Sequence, residues 1–162
     1  MKIDNWLKDA FEFDDGFACV NQDRNKWAYL GTDGKILGGL WFKSVDSFQE
    51  GFACVQRNFD NKWGLIDKGG KILGDLWFKD CYPFCEGYAR VERDDGKFAF
   101  LDKEGNILGG VWFKWLENFK GGFATVQLED GAHHILDAIT IECGKLQLED
   151  GTWKYFGKKM KK

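Results

Sequence analysis

Proline is almost missing from this chain, with 1 residue in 162. That excludes collagen-like and proline-rich linker segments. Histidine is nearly as scarce: His133 and His134 are the 2 present, and they are adjacent. Neighbouring residues on a strand point to opposite faces, so the pair is not expected to grip one ion, and no metal or cofactor is expected. No apolar run approaches membrane-spanning length, so no membrane partner is expected. The opening "MKIDNWLKDAFEF" is interrupted by acidic residues and does not read as a signal peptide. The net charge of -3 gives no reason to expect nucleic acid. The only basic run is "KKMKK", Lys158 to Lys162, read as a solubilising end. The 5 cysteines are odd in number and show no disulfide-like spacing, which points to a reducing cytoplasm. No glycine-rich loop leads into a helix, so phosphate-gripping chemistry is not expected either.

What the chain does have is aromatic rings and glycine: 8 Trp, 15 Phe and 21 Gly. Aromatics with abundant glycine favour strands and tight turns. A hydrophobic share of 44% against a charged share of 30% suits a folded, soluble protein.

The aromatic residues recur. "WLKDAFEFDDGFACV" begins at Trp6, "WFKSVDSFQEGFACV" at Trp41, "WFKDCYPFCEGYARV" at Trp77 and "WFKWLENFKGGFATV" at Trp112, with spacings of 35, 36 and 35 residues. A sustained period of this length marks a repeat architecture. Residues 1–144 are read as four repeats. Residues 145–162 are read as a truncated capping hairpin with a basic tail, because "LQLEDGTWKYF" echoes "VQLEDGAHHIL" without the Trp-Lys segment. Within a repeat, "GFACVQ" and "KWGLID" read as paired strands. The pairs Asp95-Gly96 and Asp130-Gly131 read as hairpin turns with positive φ at both residues. A second turn at "KGGK" leads to a short third strand "KIL", and "WFK" crosses to the next repeat. The expectation is an all-β tandem array of about four 35-residue β-hairpin repeats, open, curved and solenoid-like, and monomeric.

The residues "F-x-E-G-F/Y-A-x-V" followed by "K-W-G-L-I-D-K-x-G-K-I" resemble the WG (KWG) repeat, found mainly in bacterial proteins. Phe48, Glu50, Gly51, Ala53 and Val55 fit it, as do Lys62, Trp63, Gly64, Ile66, Asp67 and Gly70. The chain departs from the pattern where family repeats often carry a Pro and a Tyr-Asp pair; here that place holds "LGGLWFK" or "LGDLWFK". The resemblance implies an interaction or scaffold role and supplies no catalytic residues. A weaker similarity, at "KWAYLGTDGKI" and "GTWKYFGKKM", is to choline- and glucan-binding repeats.

Comparison among the repeats separates scaffold from candidate site. Phe13, Phe48, Phe84 and Phe119 are equivalent and read as repeated core plugs. The second residue of the Trp-Gly pair is small in the leading repeats, as expected where a neighbouring repeat packs over it. Asp67, Asp102 and Asp137 read as turn caps. Cys81 falls in an apolar slot, Cys85 in an exposed one, and Cys19 and Cys54 in a half-exposed one. No histidine is placed to activate any of them. Two charge rows remain. Lys43, Lys79 and Lys114, with Lys8, recur in one slot and could dock an acidic partner. Asp94, Asp95, Glu129 and Asp130 at the hairpin tips could attract a basic one. The sequence reading is therefore a non-enzymatic protein-protein interaction module. The alternatives are an immunity-type inhibitor of a basic toxin or enzyme, and a carbohydrate-binding repeat protein.

Overall fold

The computed structural model describes residues 7–137, together with the backbone of two later strands, Lys145–Gln147 and Trp153–Tyr155. Trp6, Cys143, the acidic pair Glu149 and Asp150, and the Lys158–Lys162 tail lie outside the described residues. The chain divides into a unit covering residues 1–83 and a unit covering residues 84–162.

The first unit holds β1 (Asp9–Ala10), β2 (Phe17–Asp23), β3 (Lys26–Gly31), β4 (Ser44–Val45), β5 (Phe52–Gln56), β6 (Trp63–Asp67) and β7 (Asp80–Cys81). These give two antiparallel three-stranded sheets, β1-β2-β3 and β4-β5-β6. The second unit holds β8 (Ala89–Glu92), β9 (Phe98–Leu101), β10 (Trp115–Leu116), β11 (Phe123–Gln127), β12 (His133–Asp137), β13 (Lys145–Gln147) and β14 (Trp153–Tyr155). Its sheets include β10-β11-β12 and the antiparallel hairpin β13-β14. The all-β tandem hairpin architecture expected from the repeats is present.

The turns explain the register. At each "x-E-G-F" site, two consecutive residues have positive φ: Glu50 and Gly51 at 51° and 90°, Glu86 and Gly87 at 51° and 86°. These are the two-residue turns whose twist suits a hairpin. Gln49 and Phe52 close one with reciprocal backbone hydrogen bonds of 2.7 and 3.1 Å. The Asp-Gly tips differ from expectation. Only Gly96 and Gly131 adopt positive φ (83° and 82°), while Asp95 and Asp130 do not. There the aspartate oxygen instead accepts a hydrogen bond from the amide two residues on, Lys97 at 3.0 Å and Ala132 at 2.9 Å.

The segment "KIL" is not a strand. Ile36, Ile72 and Ile107 each make one isolated bridge, and the chain then turns through Leu37–Gly39, Leu73–Asp75 and Leu108–Gly110. The glycines at 38, 74 and 109 have φ near +60°, which ends any ladder. The third strand of each sheet comes from the crossing segment instead. Phe42 exchanges 2.7 Å backbone bonds with Trp27 of the preceding repeat, and the Lys43 amide donates to Gln56 of its own repeat. Phe113 and Lys114 do the same with Phe98 and Gln127.

The core follows from this stitching. In β5 the consecutive residues Ala53, Cys54 and Val55 are all buried, because both sheet faces are covered. Cys54, expected half-exposed, is therefore fully buried. In the first unit Phe42, Phe48, Tyr29, Val55 and Ile66 pack together; in the second, Phe100, Phe113, Phe119, Leu116 and Leu136 do. The plug assignment holds for Phe48, Phe84 and Phe119, which are 7%, 3% and 3% exposed, but not for Phe13, at 44%. Phe48 is buried by the hairpin of the repeat before it, and among the described residues none precedes the repeat of Phe13.

Candidate functional site

The recurring tryptophans at 41, 77 and 112 are structural. The ring of Trp77 lies under the Arg57 guanidinium at 4.4 Å, Trp112 under Arg93 at 4.6 Å, and Trp41 under the Lys26 ammonium at 5.4 Å. Each cation comes from the hairpin tip of the preceding repeat and leaves the ring half-buried. Trp77 also explains the glycine of the "WG" pair. A Cβ on Gly64 would meet Cε3 and Cζ3 of that ring at 3.1 Å.

The acidic tips serve their own turns. Arg57 grips Asp60 through two bonds of 2.8 and 2.7 Å, which holds the Asp60 carboxyl down to about 2, helped by the Lys62 amide. Arg93 binds Asp95 at 2.8 and 2.9 Å and lowers its pKa in the same way. Glu129 pairs with Lys97 at 2.8 Å. Asp94 is exposed beside this pair of tips. Asp94, Asp95, Glu129 and Asp130 are thus spread over two tips rather than gathered into one site. In the lysine slot, Lys43 donates to Asn61 at 2.7 Å, whereas Lys79 and Lys114 are exposed. Asp67 and Asp102 cap their turns, each accepting two backbone amides at 2.8 to 3.0 Å.

The histidines face opposite ways. His133 is exposed beside the Trp115 ring, and His134 is buried with its Nδ1 unpartnered among the described residues. Among those residues no group of three His, Cys, Asp or Glu side chains is placed to hold a metal. Cys81 is buried, and its hydrogen bond with Cys54, together with burial, pushes its thiol pKa up. Cys85 is half-buried rather than exposed.

A concave site lies elsewhere, in the first unit. A cleft of about 350 Å³ is lined by the aromatic residues Phe11, Trp27 and Tyr29 and the acidic residues Glu12, Asp14 and Asp46, among others. Phe11 stacks on Trp27 with centroids 5.8 Å apart. Burial, and then the charge of Asp80, raises the Asp46 pKa. Cys19 also lines the cleft; burial and the carboxylates of Asp46 and Asp14 push its thiol up, so it stays protonated. Negative charge beside aromatic faces suits a cationic side chain. The sequence signal was present: Phe11 occupies the same crossing slot as Asp46, Tyr82 and Glu117, a position where the repeats differ. Reading single charges at the tips missed it, because the cleft needs two repeats to form.

The WG-containing repeat family matches residues 29–63 and 63–98. Among solved structures, the chain is similar to the computationally designed Ika4 protein, at 14% identity over 77% of this chain and 87% of that one, with a TM-score of 0.42. It is also similar to BamB from Moraxella catarrhalis (15% identity, 78% of this chain, 41% of that one, TM-score 0.39) and to streptogramin B lyase (15%, 94%, 62%, TM-score 0.38). The chain thus spans less than two thirds of the length of these last two. No curated protein sequence matches it.

Proposed function

This chain is a WG-repeat protein over residues 29–98, and from that premise we propose that it is a non-enzymatic module that binds another protein through a basic segment of that partner. The cleft between the first two repeats carries this reading. It offers Glu12, Asp14 and Asp46 beside the Phe11–Trp27 stack and holds no activated nucleophile. A lysine or arginine side chain fits both halves of that lining. An inhibitor that covers a basic toxin or enzyme surface would use the same chemistry. A carbohydrate platform has less support, because Trp41, Trp77 and Trp112 already carry a side-chain cation on the ring. A reducing compartment fits the free thiols of Cys19, Cys54, Cys81 and Cys85.

The test is calorimetric titration with a lysine- and arginine-rich peptide and with its glutamate counterpart. The basic peptide should bind, weaken with salt, and lose roughly tenfold in affinity on the double change Glu12→Gln and Asp14→Asn. Equal binding of both peptides, or indifference to that double change, would overturn the reading. A partner captured from a native extract should show the same dependence.

A further inference from the structure

Each repeat carries a plug and a socket, and one junction within each unit shows how they fit. In the first unit, the Phe48 plug stacks on Phe17 with centroids 5.0 Å apart and meets Tyr29 at 4.9 Å. In the second unit, the Phe119 plug meets Tyr88 at 4.9 Å and Phe100 at 4.5 Å. The socket is therefore two positions on the preceding hairpin, one opening its first strand and one in the middle of its second. Filled, the second position closes completely: Tyr29 and Phe100 are each 1% exposed.

Among the described residues, one plug and one socket are left open. Phe13, the plug of the first repeat, is exposed, with Phe11 beside it at 58%. In the fourth repeat the socket positions are Phe123 and Ile135, which are 51% and 70% exposed. Large apolar side chains exposed to this degree at matching positions indicate an unfilled contact.

The polar frame identifies the occupant. At the internal junction of the second unit, the Cys85 thiol donates to the Phe119 carbonyl at 3.6 Å. Lys120 holds the Cys85 slot in the fourth repeat and is exposed. Its ammonium would face the carbonyl of an incoming Phe13, whose own segment carries the exposed acids Asp9, Glu12 and Asp14. The open plug is acidic where the open socket offers a cation. We propose that the occupant is a second copy of this chain, with Phe13 of one copy seated on Phe123 and Ile135 of the next. The contact is heterologous, so each copy has one plug to give and one socket to fill, and assembly proceeds head to tail. One internal feature is missing from it. Glu86 accepts the Gly121 and Gly122 amides at 2.7 and 3.0 Å, and its slot in the fourth repeat is Gly121 itself. The copy-to-copy junction is therefore weaker than those within the chain. This departs from the monomer expected from sequence, which gave no view of which repeat faces stay open.

Sedimentation analysis from micromolar to near-millimolar concentration tests it. The wild-type mass should rise with concentration. Phe13→Asp and Ile135→Asp should each remain monomeric, with unchanged circular dichroism and urea midpoint. Mixing the two should restore a complex of two chains and no larger species, because one variant keeps its socket and the other its plug. Lys120→Glu should weaken assembly roughly tenfold. If an aspartate variant does not fold, Phe13→Ser and Phe123→Ser take its place. A wild type monomeric throughout, an Ile135→Asp protein that assembles like wild type, or a mixture that fails to pair would each overturn the proposal. The Ile135 and Phe123 changes leave the acidic cleft untouched, so loss of assembly is distinguishable from loss of peptide binding.

Discussion

A methyl group on Gly64 would lie 3.1 Å from two atoms of the Trp77 ring and from the Leu76 carbonyl. Alanine fills the same slot at Ala28 and Ala99, so the ring can shift by the small amount needed. Gly64→Ala should therefore stay within about 1 kcal/mol of wild type, while Gly64→Val should cost ~1–3 kcal/mol by overpacking. Urea midpoints measure both, and a neutral valine would remove the packing explanation of the Trp-Gly pair. Asp60 makes a separate residue-scale prediction. Arg57 holds its carboxyl at about 2, below the unfolded value of about 3.9. Its contribution is thus present above pH ~4 and is lost as pH falls through the folded value. Asp60→Asn should flatten the fall of the urea midpoint across that window. The tip is open to solvent, so the effect is small; an unchanged acid slope would show that the fork is not formed in solution.

At the scale of elements, the plug position divides by neighbour rather than by residue type. Phe48→Ala and Phe84→Ala should each cost ~3–5 kcal/mol, and Phe13→Ala less than about 1 kcal/mol. Equal losses in urea unfolding at all three would mean that Phe13 is covered. This is also where the sequence proved partly legible. The repeat period, the two main strands and the aspartate caps at Asp67 and Asp102 were readable, because each depends on residues close together in the chain. The "KIL" strand was misread because its apolar pattern gives no sign of the positive φ that Gly38, Gly74 and Gly109 adopt just beyond it. The two-residue turns lay at Asp15-Gly16, Glu50-Gly51, Glu86-Gly87 and Gly121-Gly122 rather than at the tips Asp95-Gly96 and Asp130-Gly131, since the glutamates in two of them are not residues that advertise positive φ. The cleft was illegible for a different reason: Phe11 and Asp46 are 35 residues apart and meet only once two repeats pack.

At the scale of the molecule, contacts within each unit run from one repeat to the next, so stability is a sum of hairpins and junctions. That arithmetic makes an unfilled junction a place where the array can be extended by a partner or by another copy. It also gives the cysteines of the first unit a use. Cys54 and Cys81 are buried at a junction between repeats, and the Cys81 thiol donates to the Gly64 carbonyl at 3.6 Å. A thiol reagent in water reaches half-buried Cys19 and Cys85 first. It reaches Cys54 and Cys81 only when the junction parts, and then only through the thiolate. With Cys143, which lies outside the described residues, replaced by serine, the slow labelling phase becomes a clock for local opening. Its rate reports how often neighbouring repeats separate while the rest of the chain stays folded.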